Sequence, residues 1–341
     1  MLLVIAYKNP RADNPDCRHS GLGITASNLA EVLHDHGIAA VAQPVVDGYQ
    51  LRQMLRADRW PGITHVALCA PFFDTAFLET LCREFPHIEW TVTYHSNWGF
   101  LQVDTWAVRC LVLQMNLQNR VRNFRISGNC REFCDSLGAA FRSSALLLPN
   151  LFYLHGQPER KRQPWSTGDL HLGIFGATRV LKNLVTASVS ALVIGKQMGA
   201  GRTLVHISSG RVEHGDRVVE TVRELFRGQR QAELVEEPWQ AWPDFQMTVR
   251  WMDLLLQPSF TESFNNVTAD GVSQGVASVV GYPISWVPAS WRACPDDAIE
   301  QASVGCALLA DPAAARDGYD ALASHNAKAL KCWQGWLSYS L

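Results

Sequence analysis

The chain of 341 residues predicts an α/β protein built from two doubly wound domains, each a parallel sheet covered by helices. Three observations carry this. Short apolar strand-like runs alternate with helical patterns through both halves, which is the signature of parallel β–α–β units. A polar segment with two prolines, HGQPERKRQPWSTGD at residues 155–169, divides the two series as a linker. The length suits one large or two medium domains, and a hydrophobic content of 47% is ordinary for a globular chain.

In the first series, residues 2–6 read as a strand and residues 24–36 as a helix entered through a glycine-containing loop. Residues 39–42, 64–69 and 90–93 are further short strands. Residues 111–119 are helical, and residues 124–127 and 145–148 are strand-like. The second series opens with a strand at 170–175 and a helix at 183–198. A strand at 203–207, a helix at 217–226 and a short strand at 233–235 follow, then a helix at 239–252. Residues 254–281 read as strand, polar loop, helix and strand, and the tail from 317 to 341 as helix. The expected domains are 1–155 and 165–316, with 317–341 as a closing helix.

No repeat of solenoid length is present. The opening MLLVIAYKNP has no basic stretch and no small-residue cleavage site, so it reads as a core strand and not as a signal peptide. No apolar run approaches the ~18 residues of a membrane span. Nine cysteines without a CxxC pair point to free thiols in a reducing cytoplasm, the expected location. Cys130 and Cys134 stand four apart but lack a nearby histidine pair for zinc. The net charge of −2 is uninformative, but its distribution is not. Residues 104–163 hold nine Arg or Lys against four acids, a basic face able to meet nucleic acid or a membrane surface, or simply solvent.

The densest chemistry lies in LLLQPSFTESFNNVTADGVSQGVASVVG, residues 254–281. Glu262 falls in the loop, and Asp270 falls one turn inside the helix that follows. A loop ending on a helix start offers backbone N–H groups and the positive end of the macrodipole, which suits a phosphate. Carboxylates beside such a site suit hydroxyl groups, because a carboxylate accepts two hydrogen bonds from a vicinal diol.

This unit resembles the donor-site signature of retaining GT-B glycosyltransferases, a Glu-x7-Glu motif whose second acid is Asp270 here and whose usual glycine after Phe264 is Asn265. The resemblance runs through most of residues 165–335 and more weakly through 1–150. It implies two facing Rossmann-like domains, a crevice at the carboxyl ends of both sheets, and a last helix that returns to the first domain. By the same resemblance Glu262 contacts the sugar, Asp270 the ribose, and the amides around Ser263, Phe264, Asn265 and Asn266 the phosphate or sugar. Arg179 and Lys182, at the end of the 170–175 strand, would stabilise the charge that develops on a departing nucleoside diphosphate. His95, at the end of the 90–93 strand, would touch the donor sugar, or else be a structural histidine. Gly21 and Gly23 would form a glycine-rich loop facing the diphosphate. His206, with Trp239 or Trp242, would line the nucleobase pocket.

No two aspartates stand in the Asp-x-Asp spacing of a metal site, and the cations supply the charge, so no metal and no further cofactor is expected beyond the nucleoside-diphosphate sugar, with UDP favoured. The C-terminal pattern resembles compact glycosyltransferases of bacteriophage genomes, some of which act on hydroxymethylated pyrimidines in DNA. DNA is therefore a candidate partner through Arg109, Arg120, Arg122, Arg125 and Arg131. Envelope polysaccharide, lipid-linked and small-molecule acceptors are the alternatives. Gly21-x-Gly23-x-x-Ala26 formally fits a dinucleotide fingerprint, so a nicotinamide-dependent oxidoreductase is the rival of another class. A non-catalytic sugar-nucleotide or DNA-binding relative is a third reading.

Overall fold

The computed structural model describes residues 1–9, 20–156, 168–213 and 215–338. They form two compact units, Met1–Tyr153 with His325–Leu341, and Leu154–Ser324. Most of the expected linker, and His19 before the first helix, lie outside the described residues.

In the first unit β1 (Leu3–Lys8) is followed by α1 (Gly21–Asp35), β2 (Ala40–Val45) and α2 (Gly48–Arg56). Next come β3 (His65–Leu68), α3 (Thr75–Glu84), β4 (Glu89–Tyr94) and the single turn α4 (Trp98–Leu101). α5 (Thr105–Gln118), β5 (Phe124–Gly128), α6 (Arg131–Phe141) and the two-residue β6 (Leu146–Leu147) complete it. The strands pair in parallel in the order β2-β1-β3-β4-β5-β6.

Both faces of this sheet are covered, which is why β1 is apolar and buried from Leu3 to Tyr7 instead of alternating. Val4 and Ala6 enter one core with Leu51, Leu78 and Phe133. Leu3, Ile5 and Tyr7 enter the other, with Leu29 and Leu33 of α1 and with Trp333 and Trp336 near the C-terminus. Aspartates Asp47, Asp74 and Asp104 cap α2, α3 and α5 by accepting a first-turn amide.

The second unit runs β7 (Asp169–Ile174), α7 (Leu184–Gln197), β8 (Arg202–Ser208), α8 (Asp216–Phe226) and β9 (Ala232–Glu237). It continues with α9 (Trp242–Arg250), β10 (Leu254–Gln257), α10 (Asn266–Ser273) and β11 (Ser278–Gly281). β12 (Arg292–Ala293), α11 (Ala298–Ala310) and α12 (Ala314–Leu337) close the chain. Its sheet is again parallel, in the order β12-β11-β10-β7-β8-β9.

The expected pair of doubly wound α/β units is therefore present, with local corrections. The helix read at 239–252 begins only at Trp242, since Pro243 is tolerated in a first turn but not further in. The helix read from 183 begins at Leu184, because Asn183 is left-handed (φ 60°). The tail helix starts at Ala314, and its distal part holds the first unit: Asn326 exchanges two hydrogen bonds with the Phe152 backbone, at 3.1 and 2.7 Å. The sequence reading leaves α2, α3, α4, α6 and α11 unassigned. Among the described residues no helix is long and apolar enough to cross a membrane.

α10 lies close on β10 because Gly271 faces that strand. A Cβ there would stand 2.6 Å from Leu255 Cδ1 and 3.0 Å from the Val276 carbonyl oxygen. Gly271→Val is expected to lower unfolding stability by about 1–3 kcal/mol through overpacking, with Gly271→Ala between it and the wild type. Urea denaturation of the three proteins measures this, and an unchanged midpoint for the valine variant contradicts the packing.

Candidate functional site

The order of the second sheet reverses between β7 and β10. The chain leaves β7 towards β8 and β9 on one side and returns to β10 on the other. Open α/β sheets bind ligands outside the carboxyl ends of the two strands at such a switch point, because their loops diverge there. The loops after β7 and β10 carry Arg179 with Lys182, and Glu262 with Asn265.

After β7 the backbone turns at Gly176, whose φ of 117° excludes ordinary side chains. Thr178 is buried and donates its hydroxyl to the Ser208 carbonyl, which pins the loop to β8. A short 3-10 turn at Val180–Lys182 follows. Asn183 then donates to the carbonyls of Pro258 and Pro295, tying this loop to the one after β10.

Between the two loops Lys182 Nζ and Glu262 Oε1 form an ion pair, with 18% and 15% of the side chains exposed. The same oxygen accepts from Ser259 Oγ and Asn265 Nδ2, both at 3.3 Å. Asn265 adopts φ 66°, which a residue with a side chain tolerates best as asparagine, hence its stand-in for the usual glycine. Its Oδ1 caps α10 at the Thr268 amide (2.9 Å) and its Nδ2 donates to Gln257 (3.2 Å). Arg179 pairs with Glu213, which also holds Arg211 at 2.5 Å. Burial works to raise the Glu213 carboxyl, but the two arginines hold it below its ordinary value. Arg211 in turn lies 5.1 Å over the Trp239 ring, a cation–π contact.

The structure thus brings Arg179, Lys182, Glu262 and Asn265 to one edge of the second sheet. Other expected residues are placed differently. Phe264 is turned inward, stacked on Trp286 at 5.4 Å, and its carbonyl accepts the Trp286 indole N–H. Ser263 and Asn266 are half-buried beside it. Asp270 is 1% exposed. Its Oδ1 accepts the Trp242 indole N–H at 2.7 Å and Gln246 at 3.5 Å. Burial pushes this carboxyl up to about 7, against the lowering effect of those two donors. His206 is engaged at both ring nitrogens, with Glu237 at 2.9 Å and His171 at 3.0 Å, which fixes its ring on the face of β7, β8 and β9.

In the first unit His95 follows β4, and its Nδ1 meets Asn150 Oδ1 at 3.0 Å, an oxygen shared with Asn129 at 3.2 Å. Burial lowers this imidazole to about 4, so it is neutral at ordinary pH. Gly21 and Gly23 do not form a loop. They are the first turn of α1, whose cap Ser20 accepts the Gly23 amide at 3.3 Å. A dinucleotide fingerprint needs its glycines directly after the strand, whereas β1 ends at Lys8. The nicotinamide reading loses its geometry at this point, while Gly21 and Gly23 stand at the N-terminal end of α1. Sequence reasoning missed Asn183, Gln257, Glu213 and the Trp242 contact, since none belongs to a motif. Only the asparagine at a position that resembled glycine carried a signal.

No protein-family model and no curated protein matches this sequence. Solved structures do match its fold. A sucrose-phosphate synthase from Thermosynechococcus elongatus superposes with a TM-score of 0.64 at 16% identity, covering 98% of each chain. A glycosyltransferase from Rickettsia africae gives 0.62 at 11% identity, covering 99% of this chain and 100% of its own. S. aureus TarM, in a complex with UDP, gives 0.59 at 12% identity over 81% of this chain, which spans about half of TarM (55%). The two parallel six-stranded sheets are those of the GT-B fold, and this chain has that fold.

Asp270 makes stability depend on pH. Its folded value lies above that of an exposed aspartate, so its contribution is fully present below about pH 4 and is lost as pH rises through about 7. Asp270→Asn keeps an acceptor for Trp242 and cannot ionise. Its melting temperature relative to the wild type is expected to climb between pH 4 and 7 and to level off above. A difference that stays constant with pH contradicts the buried carboxyl.

Proposed function

We propose that the protein is a retaining glycosyltransferase that moves a sugar from a nucleoside diphosphate, UDP favoured, to an acceptor hydroxyl. The observation that carries this reading is the Lys182–Glu262 pair at the β7/β10 switch point, beside the start of α10 and backed by Arg179. Two cations near a helix N-terminus suit a diphosphate, and a carboxylate beside them suits sugar hydroxyls. The solved structures with this fold include enzymes whose names state glycosyl transfer, one of them holding UDP, which supports the same reading.

In the proposed step the bond between the anomeric carbon and the β-phosphate oxygen breaks, and a bond to the acceptor oxygen forms on the same face. The acceptor proton passes to the departing phosphate. Arg179 and Lys182 exchange their carboxylate partners for the diphosphate as its charge grows, which favours the transition state over the ground state. Glu262, released from Lys182, takes the sugar hydroxyls. Asp270, whose Oδ1 accepts the Trp242 indole, takes the ribose through its other oxygen.

For the acceptor, hydroxymethylated pyrimidine in DNA rests on the arginines of the first unit. Arg120 is held by Glu79 at 3.1 Å, and Arg125 donates to the carbonyls of Arg122 and Phe124. The helix carrying Arg109 exposes Val108, Val112 and Leu113 beside it. That apolar surface favours the second reading, an acceptor held at a lipid surface, over a phosphate backbone.

Arg179→Ala and Lys182→Ala are each expected to lower kcat roughly 100-fold or more, the scale of one lost electrostatic contact to developing charge. Glu262→Gln is expected to impair transfer while leaving nucleotide affinity close to the wild type by calorimetry. Turnover near the wild-type rate in either cation variant removes that cation from the site. Release of free UDP from a panel of sugar nucleotides, followed by mass spectrometry of hydroxymethylated duplex and lipid-linked glycans as acceptors, decides donor and acceptor. Transfer to the duplex alone restores the DNA reading.

A further inference from the structure

The loop after β8 leans on the loop after β7 and is fixed to it by its backbone. Gly210 passes so close to Trp239 that a Cβ there would collide with the Trp239 amide nitrogen. The Thr178 amide donates to the Arg211 carbonyl, and the Glu213 amide donates to the Thr178 carbonyl, both at 2.9 Å, which makes an isolated parallel bridge between Thr178 and Val212. At Gly215 a Cβ would stand 2.7 Å from the Thr178 carbonyl oxygen, so a side chain there would push the two loops apart. Glu213 lies in a loop, but its backbone has little freedom.

Its carboxylate serves two arginines. Oε2 accepts Nε and a terminal nitrogen of Arg179, and Oε1 accepts a terminal nitrogen of Arg211. Arg211 has a second support in the face of Trp239. Arg179 is 31% exposed, Glu213 26% and Arg211 39%, so water reaches this cluster more than it reaches Lys182 and Glu262. Screening by water lowers the cost of exchanging one partner for another. When Arg179 turns away, Glu213 keeps Arg211 and Arg211 keeps the indole, so no charge is left stranded.

We propose that Glu213 is a built-in competitor of the diphosphate. It holds Arg179 while the site is empty, and Arg211 retains the carboxylate when the diphosphate draws Arg179 away. Glu213 and Arg211 are then positioning residues that act through Arg179. The apparent affinity for the diphosphate equals the intrinsic affinity reduced by the fraction of molecules in which Arg179 has left Glu213. This inference rests on the reading of the β7/β10 edge as a diphosphate site and adds the device that gates it.

Calorimetry on the full chain with UDP and with inorganic pyrophosphate tests the clamp. Glu213→Gln is expected to tighten both ligands roughly five-fold, whereas a glutamate that merely supported the loop would lose affinity on substitution. In an Arg179→Ala background the same change is expected to leave affinity unaltered, because its effect runs through Arg179. Arg211→Gln leaves Glu213 to Arg179 alone and is expected to weaken both ligands roughly three-fold. In the Glu213→Gln background Arg211→Gln is expected to change little. A wild type that binds UDP no less tightly than Glu213→Gln overturns the clamp and leaves the transferase reading standing. So does a gain from Glu213→Gln that persists without Arg179, since the carboxylate then acts through its field and not by holding that side chain. Unchanged affinity in Arg211→Gln also overturns it. Failure of the wild type and every variant to bind either ligand overturns the diphosphate site itself, and the clamp with it.

Discussion

Parallel pairing constrains everything else in this molecule. A parallel strand must be followed by a crossover, so each sheet acquires helices on both faces and every carboxyl end arrives at the same edge. The chain therefore needs strands that are apolar on both sides, as in β1 and β10, and it collects its polar loops at one rim. Where the winding reverses, between β7 and β10, two of those loops separate and leave room for side chains that belong to neither core. Lys182 and Glu262 meet there.

That meeting has an electrostatic cost. An ion pair with less than a fifth of each side chain exposed loses hydration, and attraction alone does not reliably offset the loss. The surrounding hydrogen bonds supply the remainder. Ser259 and Asn265 donate to the same oxygen of Glu262, and Gln257 links Asn265 to the Phe175 carbonyl at the end of β7. Arg179 has a matching arrangement in Glu213 and Arg211. Each cation thus rests on a carboxylate, so an incoming diphosphate exchanges one anion for another and does not meet a bare positive cluster. Such an exchange keeps the loops ordered before the ligand arrives.

Polar groups elsewhere follow the opposite logic. Asp270 and His95 are held where burial opposes charge, and each is served by neutral partners, Trp242 with Gln246 and Asn150 respectively. A neutral group in a fixed hydrogen bond orients what it touches without drawing counter-ions. The histidines His171 and His206 stack at 5.2 Å and end on Glu237, which makes that face of β7, β8 and β9 one continuous polar strip.

Local pattern was enough to read the alternation of strands and helices, the two series, and the strand–loop–helix unit with Glu262 at its loop, because apolar periodicity and turn chemistry act over a few residues. It was also enough to single out Asn265 as a departure, whose meaning the left-handed backbone then supplied. Local pattern could not reveal partners. The hydrogen bond from Trp242 to Asp270 joins residues 28 positions apart, and the Lys182–Glu262 pair joins residues 80 apart. Nor could it distinguish a glycine-rich loop from the first turn of α1, since Gly21 and Gly23 permit both and the cap at Ser20 chooses. Fold class was thus written in the chain itself, through short-range propensity and burial. Which acid meets the solvent edge and which is sealed behind an indole was decided only when the strand order brought distant loops together.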